Sequence, residues 1–509
     1  MHKNRNLYSC YLQGKEDNHG KVAIHCGDRH YSYADLADGS ARYANALADM
    51  GVSPGDRVCA CIDKSIGNIF LYLACLRSGI VYQPLNPAFQ PAEVDYYLAD
   101  AGPAAVICSR ENEVWVRTAA RRAGVERVLT LDRDGTGTLA AAADAAGTEF
   151  ATRVYDGSEL ACLLYSSGTT GKPKGIKLSH DNLAANVRTL VDLWGFTNDD
   201  VLIHALPLFH VHGLFVALGC VLTAGASLHL LEKFDADEII CLLPEATVLM
   251  GVPTFYTRLL QSPGLSREAC SAMRLFISGS APLQENTFNQ FKQTTGHTIL
   301  ERYGTSETGM STSNPLHGER RAGMVGMPLP DVMVKIVDDD GTEVADAGIG
   351  ELLVKGPNVF SGYWNLDEVN RGAFTEDGYY RTGDLGERDP DGYIRIVGRA
   401  RDMIISGGEN VYPKEIELCL DRIEGISESA VIGLEDTDLG ERVVAVLVAD
   451  PDCRLDEAGI VAGLKTQLAG FKVPRQICFV EELPRNTMGK VQKNKLRETW
   501  KQNHKNEQE

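Results

Sequence analysis

Apolar runs of strand length alternate with stripes at helical spacing through the first third of the chain, and this alternation restricts the fold more than any other feature. Ser32 to Asp35 forms a capping-box pattern ahead of a helix that ends near Gly51. Ile66, Ile69, Phe70, Leu73 and Leu76 recur at helical spacing, and Gly79 stands where a helix end needs a glycine. Tyr82 with the segment before Asn86-Pro87, and Ala104 to Cys108, suit buried strands. Strands alternating with helices predict parallel sheets covered on both faces. The alanine-rich stretch Leu139 to Gly147 suits a surface helix or a loop. A chain of 509 residues exceeds one ordinary core, so at least two domains are expected.

The last hundred residues read as a separate α+β unit. Ile416, Cys419, Leu420 and Ile423 form one helical stripe; Val461, Leu464 and Leu468 form another, stopped by Gly470 and Pro474. Ala430 to Gly433, Val443 to Val448 and Ile477 to Val480 suit strands, as does Tyr393 to Val397 just before this unit. The polar tail after Trp500 is expected to fray.

Composition excludes several roles. A net charge of −19 argues against a nucleic-acid partner, which needs a basic face. Local lysines and arginines can still make a cleft that attracts anions. The 13 cysteines follow no framework spacing; Cys59 and Cys61 lack the partners that would complete a metal site. They are read as free thiols in a reducing cytoplasm. The N-terminus has no apolar core of a signal peptide, and no run is long enough to cross a membrane.

Chemistry concentrates in the run Tyr165 to Gly175, after the strand-like Leu160 to Leu164. Its glycines let backbone N–H groups approach an anion, Ser166, Ser167, Thr169 and Thr170 supply hydroxyls, and Lys172 and Lys174 supply charge. The run handles phosphate without the Walker spacing. It resembles the phosphate loop of the adenylate-forming enzymes: acyl-CoA synthetases, luciferases and peptide-synthetase adenylation domains. Four further blocks in the same order carry that resemblance: Glu301 to Thr308, Tyr380 to Leu385, Gly398 to Asp402, and Pro484 to Lys490.

The resemblance implies an ATP-binding N-terminal domain over residues 1–400 and a mobile C-terminal lid over 401–509, pivoting at Arg401. It implies ATP, Mg²⁺ and CoA as the small molecules used, with an acid activated as its adenylate. Lys490 would neutralise the α-phosphate and carboxylate. On its own this lysine reads as part of a basic tail with Lys493, Lys495 and Arg497. Glu307 and Thr170 would hold Mg²⁺. Ser166, Ser167, Gly168, Thr169, Thr170, Lys174 and Ser306 would meet phosphates, Asp384 the ribose hydroxyls, Tyr303 the adenine, and Arg399 ribose or phosphate. Ser280, Ala281, Pro282, Glu301, Arg302 and Gly304 complete the nucleotide side. Gly407 and Gly408 would border the pantetheine path, a feature also found where a carrier protein accepts the acyl group. His210 would line the acyl pocket, with His212 structural. Acetylation of Lys490 by an acetyltransferase would abolish its charge.

The blocks Gly251 to Arg258, Ser278 to Leu283 and His210 to Ala217 resemble the malonyl-CoA synthetase branch. A dicarboxylate must bury a charge that does not react, which demands a guanidinium. Arg258 and Arg302 are the candidates, with Thr305 and Met324 also lining the acid. Thr305 stands where methionine is usual in that branch, and Glu409 where an aromatic is common. These departures keep methylmalonate, a monocarboxylate or an aryl acid as alternatives.

Overall fold

The computed structural model describes residues 4–12, 18–165, 173–345, 347–406, 409–436, 439–450, 453, 455–468, 470–486 and 489–506. The capping box at Ser32 forms as expected: its Oγ accepts from the Asp35 N–H at 3.1 Å, and the Asp35 carboxylate accepts from the Ser32 N–H at 2.7 Å. The helix it starts spans Tyr33–Asp49. The next helix, Ile66–Ser78, ends on Gly79 in the left-handed region, at φ +79°. The alanine-rich stretch forms the helix Thr138–Ala145, which buries Leu139, Ala140 and Ala143.

Among the described residues, four sheets assemble. A six-stranded sheet is parallel except at its last pair, Leu160–Tyr165 against Gly175–Ser179. A nine-stranded sheet has a parallel centre and antiparallel edges. Both are covered by helices, as the alternation predicts, and one continuous apolar core joins them. A four-stranded antiparallel sheet, Met333–Val337, Gly350–Lys355, Tyr380–Arg388 and Ile394–Arg399, adds to that core. Charged residues punctuate each of its strands, among them the buried Asp384.

Beyond a short 3₁₀ turn, Ala400–Asp402, a small C-terminal domain forms around five strands. Its central strand Gly440–Ala449 reads as a continuous apolar run because both faces are covered. Val443, Ala445 and Leu447 face one core with Ile416, Leu420, Ile460 and Leu464; Val444 and Val446 face a second with Leu483 and Leu496. Where fraying is expected after Trp500, the helix Lys493–Asn506 continues through Asn506, and Leu496 anchors this helix in the second core. Among the described residues no helix is long and apolar enough to cross a membrane.

Leu464 is fully buried on the helix Glu457–Lys465. Leu464→Ala should destabilise the C-terminal domain by about 2–5 kcal/mol. Hydrogen exchange across residues 416–447 would report it; unchanged protection would show that this helix does not carry the core.

Candidate active site

The strand Leu300–Thr305 sends successive side chains to opposite faces and so divides one motif among three tasks. Arg302 is buried, 3% exposed, and its Nε and one Nη have no hydrogen-bond partner among the described residues. Burial lowers its pKa to about 9. Gly279 makes room for it, since a Cβ there would collide with the guanidinium. Beside Gly279, Ser280 is held at φ +72°, a costly backbone for serine. Its Oγ lies 3.3 Å from Nδ1 of His212.

His212 opens a π-helical turn, His212–Ala217, an irregularity that concentrates at functional sites. The Nε2 atoms of His210 and His212 are buried and unpartnered among the described residues. Burial, and then Lys490, lowers the His210 pKa to about 3. Burial, followed by Arg302, drives that of His212 well down. Both imidazoles are therefore neutral. His212, which sequence reading leaves structural, joins the same buried pocket as Arg302.

Glu301 points the other way and does not pair with Arg302. Its Oε1 accepts from the Gly323 N–H at 2.9 Å. Burial raises its pKa to about 8. Asn314 spans the carbonyls of Glu301 and Met324 at 3.0 and 2.6 Å, which fixes Met324 beside this carboxyl. Tyr303 donates to Asp384 Oδ2 at 2.6 Å. Asp384 stands opposite Arg399 in antiparallel register, and Arg399 Nε lies 2.8 Å from Asp384 Oδ1. Burial, then Asp384, holds the Tyr303 phenol in its protonated form.

Gly304 bends this strand at a register shift, and Glu307 follows in the turn after it. The Thr305 hydroxyl accepts from the Glu307 N–H at 3.2 Å and lies 3.3 Å from the Thr308 hydroxyl. Thr305 therefore serves this turn, with Ser306 half-buried beside it. Tyr363 donates to Glu307 Oε1 at 3.1 Å, and the Lys174 ammonium lies 5.0 Å from the Tyr363 ring centroid. Tyr363 is a site residue that sequence reading missed, since a lone tyrosine between motifs carries no spacing signal.

Lys490 reaches this cleft from the C-terminal domain. Burial lowers its pKa, Arg399 and Arg302 add to that, and Asp384 and Glu307 oppose it. By residue, Lys490 is exposed at the mouth of the cleft. The structure thus brings together Lys490, Arg302, His210, Glu307, Asp384, Arg399 and Tyr303. Arg258 is less integrated: it is exposed on the helix Pro253–Leu260, with its guanidinium 5.8 Å from the Phe234 ring centroid. Ala281 is half-buried and Pro282 exposed at the rim. Ser166, Ser167, Gly168, Thr169, Thr170, Gly407 and Gly408 lie outside the described residues, as does the side chain of Arg401. Among the described residues, no three His, Cys, Asp or Glu side chains cluster to hold a metal.

Residues 13–364 match the model of the AMP-binding enzymes, and residues 415–490 match that of the AMP-binding enzyme C-terminal domain. The chain belongs to the AMP-binding enzyme family. Within it, the chain is an AMP-forming acyl-CoA synthetase, a ligase that uses ATP, CoA and a carboxylic acid. It is 35% identical to a malonate–CoA ligase of Arabidopsis thaliana, over 94% of this chain and 86% of that one. ATP-bound MatB from Rhodopseudomonas palustris shares 50% identity over 98% of this chain and 99% of its own, with a TM-score of 0.96. Apo MatB, at the same identity and coverage, superposes with a TM-score of 0.85.

Gly279→Ala should displace Arg302 and raise KM for the acid by about 10-fold or more, with KM for ATP unchanged. Steady-state kinetics would show it, and an unchanged KM for the acid would remove Arg302 from the acid pocket. Glu301 predicts a pH dependence of stability. Its folded pKa, about 8, exceeds its ordinary value of 4.5, so its contribution is full below about 4.5 and lost as pH rises through 8. Relative to Glu301→Gln, wild type should lose stability across that window in denaturant titrations; parallel curves would show that Glu301 is charged in the fold.

Proposed function

We propose that this enzyme is a malonate:CoA ligase. The observation that carries the reading is the buried guanidinium of Arg302, whose Nε and one Nη have no hydrogen-bond partner among the described residues, beside two neutral histidines. A buried cation of this kind calls for an anion, and a monocarboxylate has none to spare once its only carboxylate reacts. Similarity to a malonate–CoA ligase supports the same choice.

One carboxylate oxygen of malonate attacks the α-phosphorus of ATP, the bond to the bridging oxygen breaks, and pyrophosphate leaves. The CoA thiol then attacks the acyl carbon, loses its proton, and expels AMP. Both steps gather negative charge on oxygen, so placed cations matter more than a base. Lys490 neutralises the α-phosphate and the attacking carboxylate. Arg302 holds the second carboxylate, with His210 and His212 closing the pocket. Asp384 accepts the ribose hydroxyls, Tyr303 lies along the adenine, and Arg399 keeps Asp384 in place. Lys174, Ser306 and the loop around Thr170 bind phosphate. Glu307 would hold Mg²⁺ with Thr170, and a magnesium ion that takes one protein carboxylate, phosphate oxygens and water fits a site where the described residues form no larger acidic cluster. For the thioester step, residues 401–509 rotate on Arg401 relative to residues 1–400, and Gly407 and Gly408 border the path of the thiol. Acetylation of Lys490 would silence the first step.

The exposed Arg258 favours a second reading with the same chemistry on methylmalonate or a monocarboxylate, because a pocket with one buried arginine discriminates less. Pyrophosphate release with malonate, methylmalonate, succinate, acetate, butyrate and benzoate separates the two. Malonate should lead. Arg302→Leu should then lower its kcat/KM by about 100-fold or more, since removing one partner of a buried charge pair costs about 3 kcal/mol or more. Malonate turnover that survives Arg302→Leu would sink the assignment, and a wild-type preference for butyrate or benzoate would establish the second reading.

A further inference from the structure

Lys490 acts only if it is held at the right place, and the chain around it is short, polar and remote from the large domain's core. Two anchors hold it. Before it, Arg485 lies opposite Val491 in an antiparallel bridge. The Arg485 guanidinium donates to the Gly489 carbonyl at 2.5 Å and to Glu428 Oε1 at 2.6 Å. Glu428 belongs to the strand Ile426–Asp436, part of the rigid sheet of the C-terminal domain. Inside the turn, Asn486 closes a ring: its N–H donates to the Lys490 carbonyl at 2.9 Å, and its Oδ1 accepts from the Lys490 N–H at 3.0 Å. The Gly489 N–H donates to the Asn486 carbonyl at 2.9 Å, and Gly489 adopts φ +73°, which a side chain would strain. After the turn, Lys493 donates to Glu417 Oε1 at 2.6 Å. Glu417 is buried, also accepts from the Val431 N–H at 2.9 Å, and stays ionised because Lys493 and Lys414 outweigh its burial.

We propose that Arg485, braced by Glu428, is a positioning residue that fixes the backbone of the Lys490 turn and is needed for the adenylation step but not for the thioester step. The reason is geometric. A lysine side chain is flexible, so the placement of its ammonium depends on the backbone that carries it. Gly489 offers no side chain for packing, and the Asn486 hydrogen bonds to Lys490 close the turn on itself. Arg485 supplies the tie directly to the peptide bond between Gly489 and Lys490. Past the catalytic lysine the chain is also held, by Val491 against the second core of the C-terminal domain and by Lys493 on Glu417, whereas Arg485 acts on the turn itself. A displacement of about 1 Å at a charged group in the transition state costs on the order of 100-fold.

The proposal rests on the adenylating role assigned to Lys490, and the experiment separates the two. Each half-reaction is measured alone with whichever acid wild type uses best. Adenylation is followed as acid-dependent exchange of labelled pyrophosphate into ATP; thioester formation is followed from the chemically prepared acyl adenylate and CoA. Lys490→Ala is the reference. If it leaves exchange intact, the role of Lys490 fails, and with it the basis of the proposal. If it abolishes exchange, Arg485→Ala should lower exchange by about 100-fold while thioester formation stays within about 3-fold, with Arg485→Lys recovering part of the loss. Glu428→Gln, which preserves volume and weakens only the brace, should show the same selectivity to a smaller degree. Thermal unfolding checks that each variant folds; should Arg485→Ala not fold, Arg485→Lys and Glu428→Gln decide. Exchange at the wild-type rate, or equal losses in both half-reactions, overturns the proposal.

Discussion

A guanidinium buried among neutral groups is the constraint around which the site is arranged. Arg302 has lost water without gaining a carboxylate from the described residues, and Gly279 is bare so that it can lie there. Such an arrangement is unfavourable in the free protein and becomes favourable when an anion arrives. The strained Ser280 and the π-helical turn at His212 frame the same pocket. Strain and desolvation are thus gathered at one place, at a cost that the rest of the large core must offset.

The cleft balances its charges in layers. Asp384 is neutralised from one side by Arg399 and receives a hydrogen bond from Tyr303 on the other, so the carboxylate stays available without being exposed. Glu307 is steadied by Tyr363. Lys490 enters between these two carboxylates and the two arginines from a different domain. The contacts that carry its backbone, Arg485 on Glu428 and Lys493 on Glu417, are made within the C-terminal domain.

Legibility in the sequence followed how local the signal is. Capping at Ser32, the helix end at Gly79 and both stripes of the C-terminal domain were readable because they depend on neighbours a few residues apart. The antiparallel sheet around Tyr380–Arg388 was not, since charged residues, the buried Asp384 among them, break the apolar pattern of its strands. The end of the chain looked frayed because it is polar, yet Leu496 docks it. At the site, motif residues such as Asp384, Glu307 and Lys490 were recognisable. Tyr363 and the pocket role of His212 were not, because their partners are distant in sequence.

The sequence by itself determined the alternating fold, the small second domain, the ordered motifs and hence the adenylate-forming family. Only the tertiary structure decided which of two candidate arginines is buried, that Glu301 turns away from Arg302, and that Tyr303 meets Asp384 across 81 positions. The reason is physical. Periodicity and turn chemistry act over a few residues, whereas desolvation and charge pairing depend on which strands lie side by side and what covers them. No spacing along the chain can state that a guanidinium is buried with two of its nitrogens unpaired among the described residues.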